Sequence, residues 1–125
     1  MVRIFIVDDD QSLQRLYSLL LKEAGFEIIA TAINGKDALD KYNNMNEKPD
    51  IILMDHRMPI KNGLDAMEEI LKINKSVKII FASADVTVKH KAISLGASAF
   101  LDKPFKMHDL LNKIKDMANN LLIHN

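Results

Sequence analysis

Five short runs rich in apolar and β-branched residues punctuate the chain: Ile4 to Val7, Ile28 to Ile33, Ile51 to Met54, Val77 to Ala82 and Ala99 to Leu101. Several are apolar at consecutive rather than alternate positions, which predicts strands covered on both faces. Between them the apolar spacing turns helical. Leu13, Leu16, Tyr17, Leu20 and Ala24 form one stripe, with Gly25 placed to close the helix. Asn34-Gly35 opens a segment carrying Ala38, Leu39 and Tyr42, and Leu64, Met67, Ile70 and Leu71 form another stripe. The clearest is the last, with Leu110, Leu111, Ile114, Met117, Ala118, Leu121 and Leu122 on one face. The segment from Val86 to Leu95 offers little beyond Val88, Ala92 and Ile93, and predicts a lightly anchored helix.

Strand and helix thus alternate five times, which favours an α/β fold with a parallel sheet between helical layers and right-handed crossovers. No linker, repeat or low-complexity stretch divides the 125 residues, so residues 1–125 read as one domain. A 48% hydrophobic content is enough for a real core and argues against disorder.

Seventeen basic and seventeen acidic side chains cancel, which gives no general electrostatic reason to bind nucleic acid or an acidic membrane surface. The absence of cysteine removes disulfide, thiolate-nucleophile and thiolate-metal chemistry. No apolar run approaches the roughly 20 residues of a membrane span, and the N-terminus lacks a secretory layout. A soluble, cytoplasmic protein is expected.

In open parallel sheets, functional groups gather at the carboxyl ends of strands, near the point where strand order reverses. The residues that follow the apolar runs match this rule. The first run leads into Asp8-Asp9-Asp10, the third into Asp55, the fourth into Ser83 and the fifth into Asp102-Lys103-Pro104, while the second contributes nothing comparable. Each residue alone has an ordinary reading as a helix cap, loop hydroxyl or solvated charge, and Asp10 is read as a cap. It is their joint placement that ordinary readings do not explain.

Clustered carboxylates repel by about 4 kcal/mol per pair at 4 Å and an effective dielectric of 20, so they call for a cation or partial protonation. Oxygen-only ligands with room for water and phosphate suit Mg²⁺ best. His56, His90, His108 and His124 fall on separate elements without paired ligand spacing, which disfavours zinc. A carboxylate beside Mg²⁺, with a lysine and a hydroxyl at hand, is equipped to accept a phosphoryl group as an aspartyl phosphate.

Four stretches resemble the receiver domain of two-component response regulators: Phe5 to Asp10; Asp55-His56-Arg57-Met58-Pro59 with Gly63; Ser83-Ala84; and Gly96 to Phe105. The resemblance covers essentially the whole chain and implies a flavodoxin-like, doubly wound, five-stranded sheet of order 2-1-3-4-5 with five helices. It implies Asp55 as phosphoacceptor from a histidine kinase or phosphotransfer protein, and Asp8, Asp9, Asp55 and the Arg57 backbone carbonyl as the Mg²⁺ site, with Mn²⁺ a possible substitute. Ser83 and Lys103 match the hydroxyl and ammonium that engage the phosphoryl group. Phe100 matches a switch aromatic, against its plainer reading as a core residue. Lys103-Pro104 matches the family's cis peptide.

The family signals through its fourth helix, fifth strand and fifth helix to a downstream protein. Here Val86 to Asn125 carry six lysines against three aspartates, a mild excess that hints at an acidic partner. Ser83 stands where threonine is commoner, Phe100 where tyrosine or another aromatic is usual, and His56 where an apolar residue is usual. Arg57, Asp85 and His56 are candidates for tuning phosphoryl lifetime.

Rival functions fit less well. A phosphatase using an aspartate nucleophile needs a general acid two residues on, where Arg57 stands. A mononucleotide module needs a glycine- or hydroxyl-rich loop after the first strand, where three aspartates stand. A degenerate receiver that only binds partners has no need to retain all five site residues. No recognition helix or basic patch points to DNA.

Overall fold

The computed structural model describes residues 1–124, and of residues 122–124 the backbone alone. Five strands, β1 (Arg3–Val7), β2 (Glu27–Ala32), β3 (Ile51–Asp55), β4 (Lys78–Ser83) and β5 (Ala99–Asp102), alternate with helices α1 (Gln11–Glu23), α2 (Gly35–Asn44), α3 (Gly63–Ile73), α4 (Val86–Leu95) and α5 (Met107–His124). All strand pairs are parallel, in the order β2-β1-β3-β4-β5. The α/β, doubly wound arrangement expected from the sequence is therefore observed.

The consecutive apolar residues of the strands are explained by the two-residue period of the pleat, which deals them to opposite faces. Phe5, Val7, Ile52, Met54, Ile79 and Phe81 point into a core closed by Tyr42 of α2, Met67 and Ile70 of α3, and Val88 and Ala92 of α4. Ile4, Ile6, Ile51, Leu53, Ile80 and Ala82 point the other way, against Tyr17 and Leu21 of α1 and Leu110 and Ile114 of α5.

Strand boundaries fall within one residue of those expected. The second strand ends at Ala32, which leaves Ile33 outside it and exposed. The α1 stripe needs correction. Gln14, Tyr17 and Leu21 are its buried residues, whereas Leu16 is 45% exposed. On α4 only Val88 and Ala92 are buried and Ile93 is exposed, so the helix is as lightly anchored as its stripe implies. Leu122, the last member of the expected α5 stripe, lies outside the side chains described.

The first four helices all begin just after the carboxyl edge of the sheet, and an Asp or Asn caps each one. Asp10 Oδ1 accepts from the Ser12 and Leu13 amides, and Asn34, Asn62 and Asp85 cap α2, α3 and α4 in turn. Such caps each contribute about 1 kcal/mol and define where a helix starts. Asp10 is thus the cap that the sequence implied. Gly25 (φ 97°) follows α1 and Gly96 (φ 117°) ends α4, both in the left-handed conformation that favours glycine. Among the described residues no helix is long and apolar enough to cross a membrane.

Candidate functional site

The register of the central strands brings their carboxyl ends level. Val7 pairs with Met54, Asp55 with Ala82 and Ser83 with Asp102, so the residues just beyond each strand share one edge. A cleft of about 780 Å³ opens there, lined by Asp8, Asp9, Asp55, Ser83 and Lys103, with Arg57 and Asp85 at its sides.

Asp8, Asp9 and Asp55 each offer a carboxylate oxygen within 4.8 Å of the others; Asp8 and Asp55 are buried and Asp9 is exposed. Lys103 answers them from across β4. Its Nζ lies 2.6 Å from Asp55 Oδ1 and 4.0 Å from Asp8 Oδ2. One cation against three acids leaves the cluster with a net charge of −2 when all are ionised. Burial is the main reason that the Asp8 carboxyl is pushed up to about 6. The Asp10 amide opposes that rise, Asp55 adds to it, and Lys103 only partly offsets it. The Tyr17 phenol, buried near the same acids, is pushed up to about 12 and stays protonated.

The donor set suits a hard divalent cation. All three side chains offer oxygen, two are buried, and their carboxylate oxygens lie within 4.8 Å of one another, close enough to share one ion. The residues present therefore fit Mg²⁺.

Ser83 is buried, and its Oγ accepts a hydrogen bond from the Asp85 amide at 3.1 Å. Asp85 in turn caps α4 through the Thr87 amide. Phe100 lies apart from the cleft and is 8% exposed. Its ring stacks on Phe81 at 6.1 Å, and Lys89 Nζ sits 5.7 Å from its centroid. Lys89 also reaches Asp102 at 3.4 Å. His56 does not line the cleft either. Its half-buried ring tilts against Phe81 at 5.8 Å, and burial holds it below its ordinary value, so it is neutral at pH 7. The Lys103-Pro104 peptide is cis.

The loop after Asp55 is tightly built. The Gly63 amide donates to the His56 carbonyl, and a β-carbon at Gly63 would fall 2.1 Å from the Asp55 carbonyl oxygen, so only glycine fits. Between them Ile60, 78% exposed, has φ 72°, with the Lys61 amide bonded to the Pro59 carbonyl at 2.8 Å. This is a γ-turn of the rarer, strained hand.

Reading the sequence missed Gln14. It is buried, and its Nε2 donates to the Asp8 carbonyl at 2.6 Å and the Ala32 carbonyl at 2.7 Å. The available signal was its spacing: positions 14, 17 and 21 share one helical face, so a polar residue there needed buried partners.

The lysine excess noted from Val86 onward is not mirrored at the β5–α5 groove. That groove is lined by Asp102, Asp109 and Asp116 against Lys113 alone.

Comparison with known proteins gives a uniform result. Residues 4–115 match the family model of the response regulator receiver domain. The chain is 39% identical over 117 residues to the chemotaxis protein CheY of Thermotoga maritima, covering 90% of this chain and 96% of that protein. It is 36% identical to the CheY of Bacillus subtilis, covering 94% and 98%. Among solved structures, a CheY-like receiver domain protein of Methanospirillum hungatei JF-1 superimposes with a TM-score of 0.90 at 27% identity, covering 100% and 99% of the two chains. A CheX–CheY–BeF₃–Mg complex from Borrelia burgdorferi gives 0.86 at 27% identity, covering 92% and 87%.

Proposed function

The chain belongs to the response regulator receiver family, and on that footing we propose that residues 1–125 form a receiver unit that accepts a phosphoryl group on Asp55 and signals by changing shape. The observation that carries this reading is the meeting of three carboxylates with the Lys103 ammonium at one strand edge.

The donor is a phosphohistidine on a histidine kinase or phosphotransfer protein. An Asp55 carboxylate oxygen forms the bond to phosphorus as the nitrogen–phosphorus bond breaks, and the freed imidazole nitrogen takes a proton from solvent. Asp8, Asp9, Asp55 and the backbone carbonyl of Arg57 are the residues to hold Mg²⁺, or Mn²⁺ in its place. When bound, the ion supplies positive charge that offsets the phosphoryl oxygens. Lys103 supplies a second positive charge and orients the acceptor through its 2.6 Å contact.

Ser83 Oγ, which accepts from the Asp85 amide, then turns away from it to donate its hydroxyl proton to a phosphoryl oxygen. Releasing that amide disturbs the loop leading into α4, a helix held by only two buried side chains. Phe100, Lys89 and Asp102 lie beside it, so the change reaches the α4–β5–α5 face where a downstream protein docks. In the β5–α5 groove Asp102 already pairs with Lys89, while Asp109 and Asp116 favour a cationic segment of the partner, beside the lysine-rich stretch that hints at an acidic one. The unit acts in signalling rather than by turnover of external substrates, and is cytoplasmic.

Incubation with acetyl phosphate and MgCl₂ followed by intact mass tests the reading. A gain of one phosphoryl group in wild type, absent in Asp55→Asn, is expected; equal labelling of both would refute it.

A further inference from the structure

We infer that Gln14 is a positioning residue for the acid cluster: its carboxamide fixes the peptide between Asp8 and Asp9 and thereby sets the affinity of the site for a divalent cation. The inference rests on the Mg²⁺ reading of the cluster given above.

Gln14 is a polar side chain on the apolar face of α1, 7% exposed. A carboxamide buried in such a place costs free energy unless its hydrogens are used. Both are used on backbone oxygens, those of Asp8 and Ala32. Two carbonyl oxygens within 2.7 Å of the same atom identify it as the nitrogen. The Ala32 carbonyl also takes the Asp8 amide at 3.0 Å, so Gln14 clamps the ends of β1 and β2 together at the point where the acids emerge.

These bonds close a ring. The Asp10 amide donates to Asp8 Oδ1, Asp10 Oδ1 caps α1, the Gln14 amide donates to the Asp10 carbonyl, and the Gln14 side chain returns to the Asp8 carbonyl. Asp8 is held through both its side chain and its backbone. Asp9 is exposed and starts from the very peptide whose carbonyl Gln14 holds, so that peptide plane directs where its carboxylate goes. Outer partners that orient metal ligands change affinity by about 10–100-fold when removed. Gln14 acts through the backbone, so about tenfold, the lower end, is expected.

The test is calorimetric titration of the purified chain with MgCl₂, without any phosphodonor, alongside thermal melts. Gln14→Met keeps length and bulk but loses both donors, and Gln14→Asn keeps the carboxamide but loses reach. Leu21→Val, on the same helix and facing the same core, serves as the stability control. Whichever Gln14 variant folds is expected to bind Mg²⁺ about tenfold more weakly than wild type, while Leu21→Val stays near wild type despite a lowered melting temperature. Wild-type affinity in a folded Gln14 variant, or an equal loss in Leu21→Val, would overturn the inference. Failure of the wild-type chain to bind Mg²⁺ would instead defeat the reading of the site itself.

Discussion

Lys103 Nζ stands 2.6 Å from Asp55 Oδ1 and 4.0 Å from Asp8 Oδ2, so a single ammonium faces two buried carboxylates. Removing one partner of a buried pair strands the other, which costs more than the pair contributes. Lys103→Met is expected to destabilise the metal-free fold by about 1–3 kcal/mol, reduced from the fully buried case because the lysine keeps some contact with water. Adding Asp55→Asn should recover most of the loss. Urea melts of the two single variants and the double variant form the cycle, and simple additivity would mean that the contact carries no coupling.

Asp8 sets a pH dependence of unusual sign for an acid. Its folded value of about 6 lies above the ordinary 3.8, so the folded state holds the proton more tightly. This contribution to stability is complete below pH 3.8 and is lost as pH rises through about 6. The difference corresponds to about 3 kcal/mol. In chelator at pH 7.5, Asp8→Asn should therefore be more stable than wild type, by up to about 3 kcal/mol, with the gap closing toward pH 4. Asparagine keeps an oxygen for the Asp10 amide. A variant melting at or below wild type at pH 7.5 would count against the assignment.

Arg57 is exposed and lines the same cleft as Asp55. Arg57→Ala is expected to shorten the lifetime of the phosphorylated form several-fold, measured as loss of radiolabel after the donor is removed. An unchanged half-life would dismiss the role. Because burial keeps His56 neutral at pH 7, the same decay should be flat from pH 7 to 8 and respond only below the usual histidine range.

Ile60 holds a β-branched side chain at φ 72° while giving little of it to the core. Such conformations cost about 1–3 kcal/mol. Glycine adopts them freely, at an entropic cost of about 0.5–1 kcal/mol. Ile60→Gly should raise stability by about 1 kcal/mol in denaturant unfolding. A loss of stability would show that the exposed isoleucine makes compensating contacts.

Much of this architecture was legible because local chemistry and global fold agree. The runs at residues 51–54 and 79–82 are apolar without alternation since both faces of those strands are covered, and the residues after them had only one edge to occupy. The illegible parts depend on partners distant in sequence. Leu16 fits a helical stripe as well as Leu21 does, yet the core it would need lies on the other side of the helix. Gln14 makes sense only once the Asp8 and Ala32 carbonyls are in place. Counting lysines along 40 residues likewise says nothing of which side of a groove they line.

The close approach of Gly63 to the Asp55 carbonyl has a mechanical outcome. With no room for even a methyl group between them, the start of α3 is welded to the strand that bears the acceptor, and the Gly35–Lys61 bond ties in the start of α2. That half of the molecule serves as a fixed abutment. Any displacement driven from Asp55 is thrown onto the neighbouring β4–α4 segment, where α4 offers the least resistance.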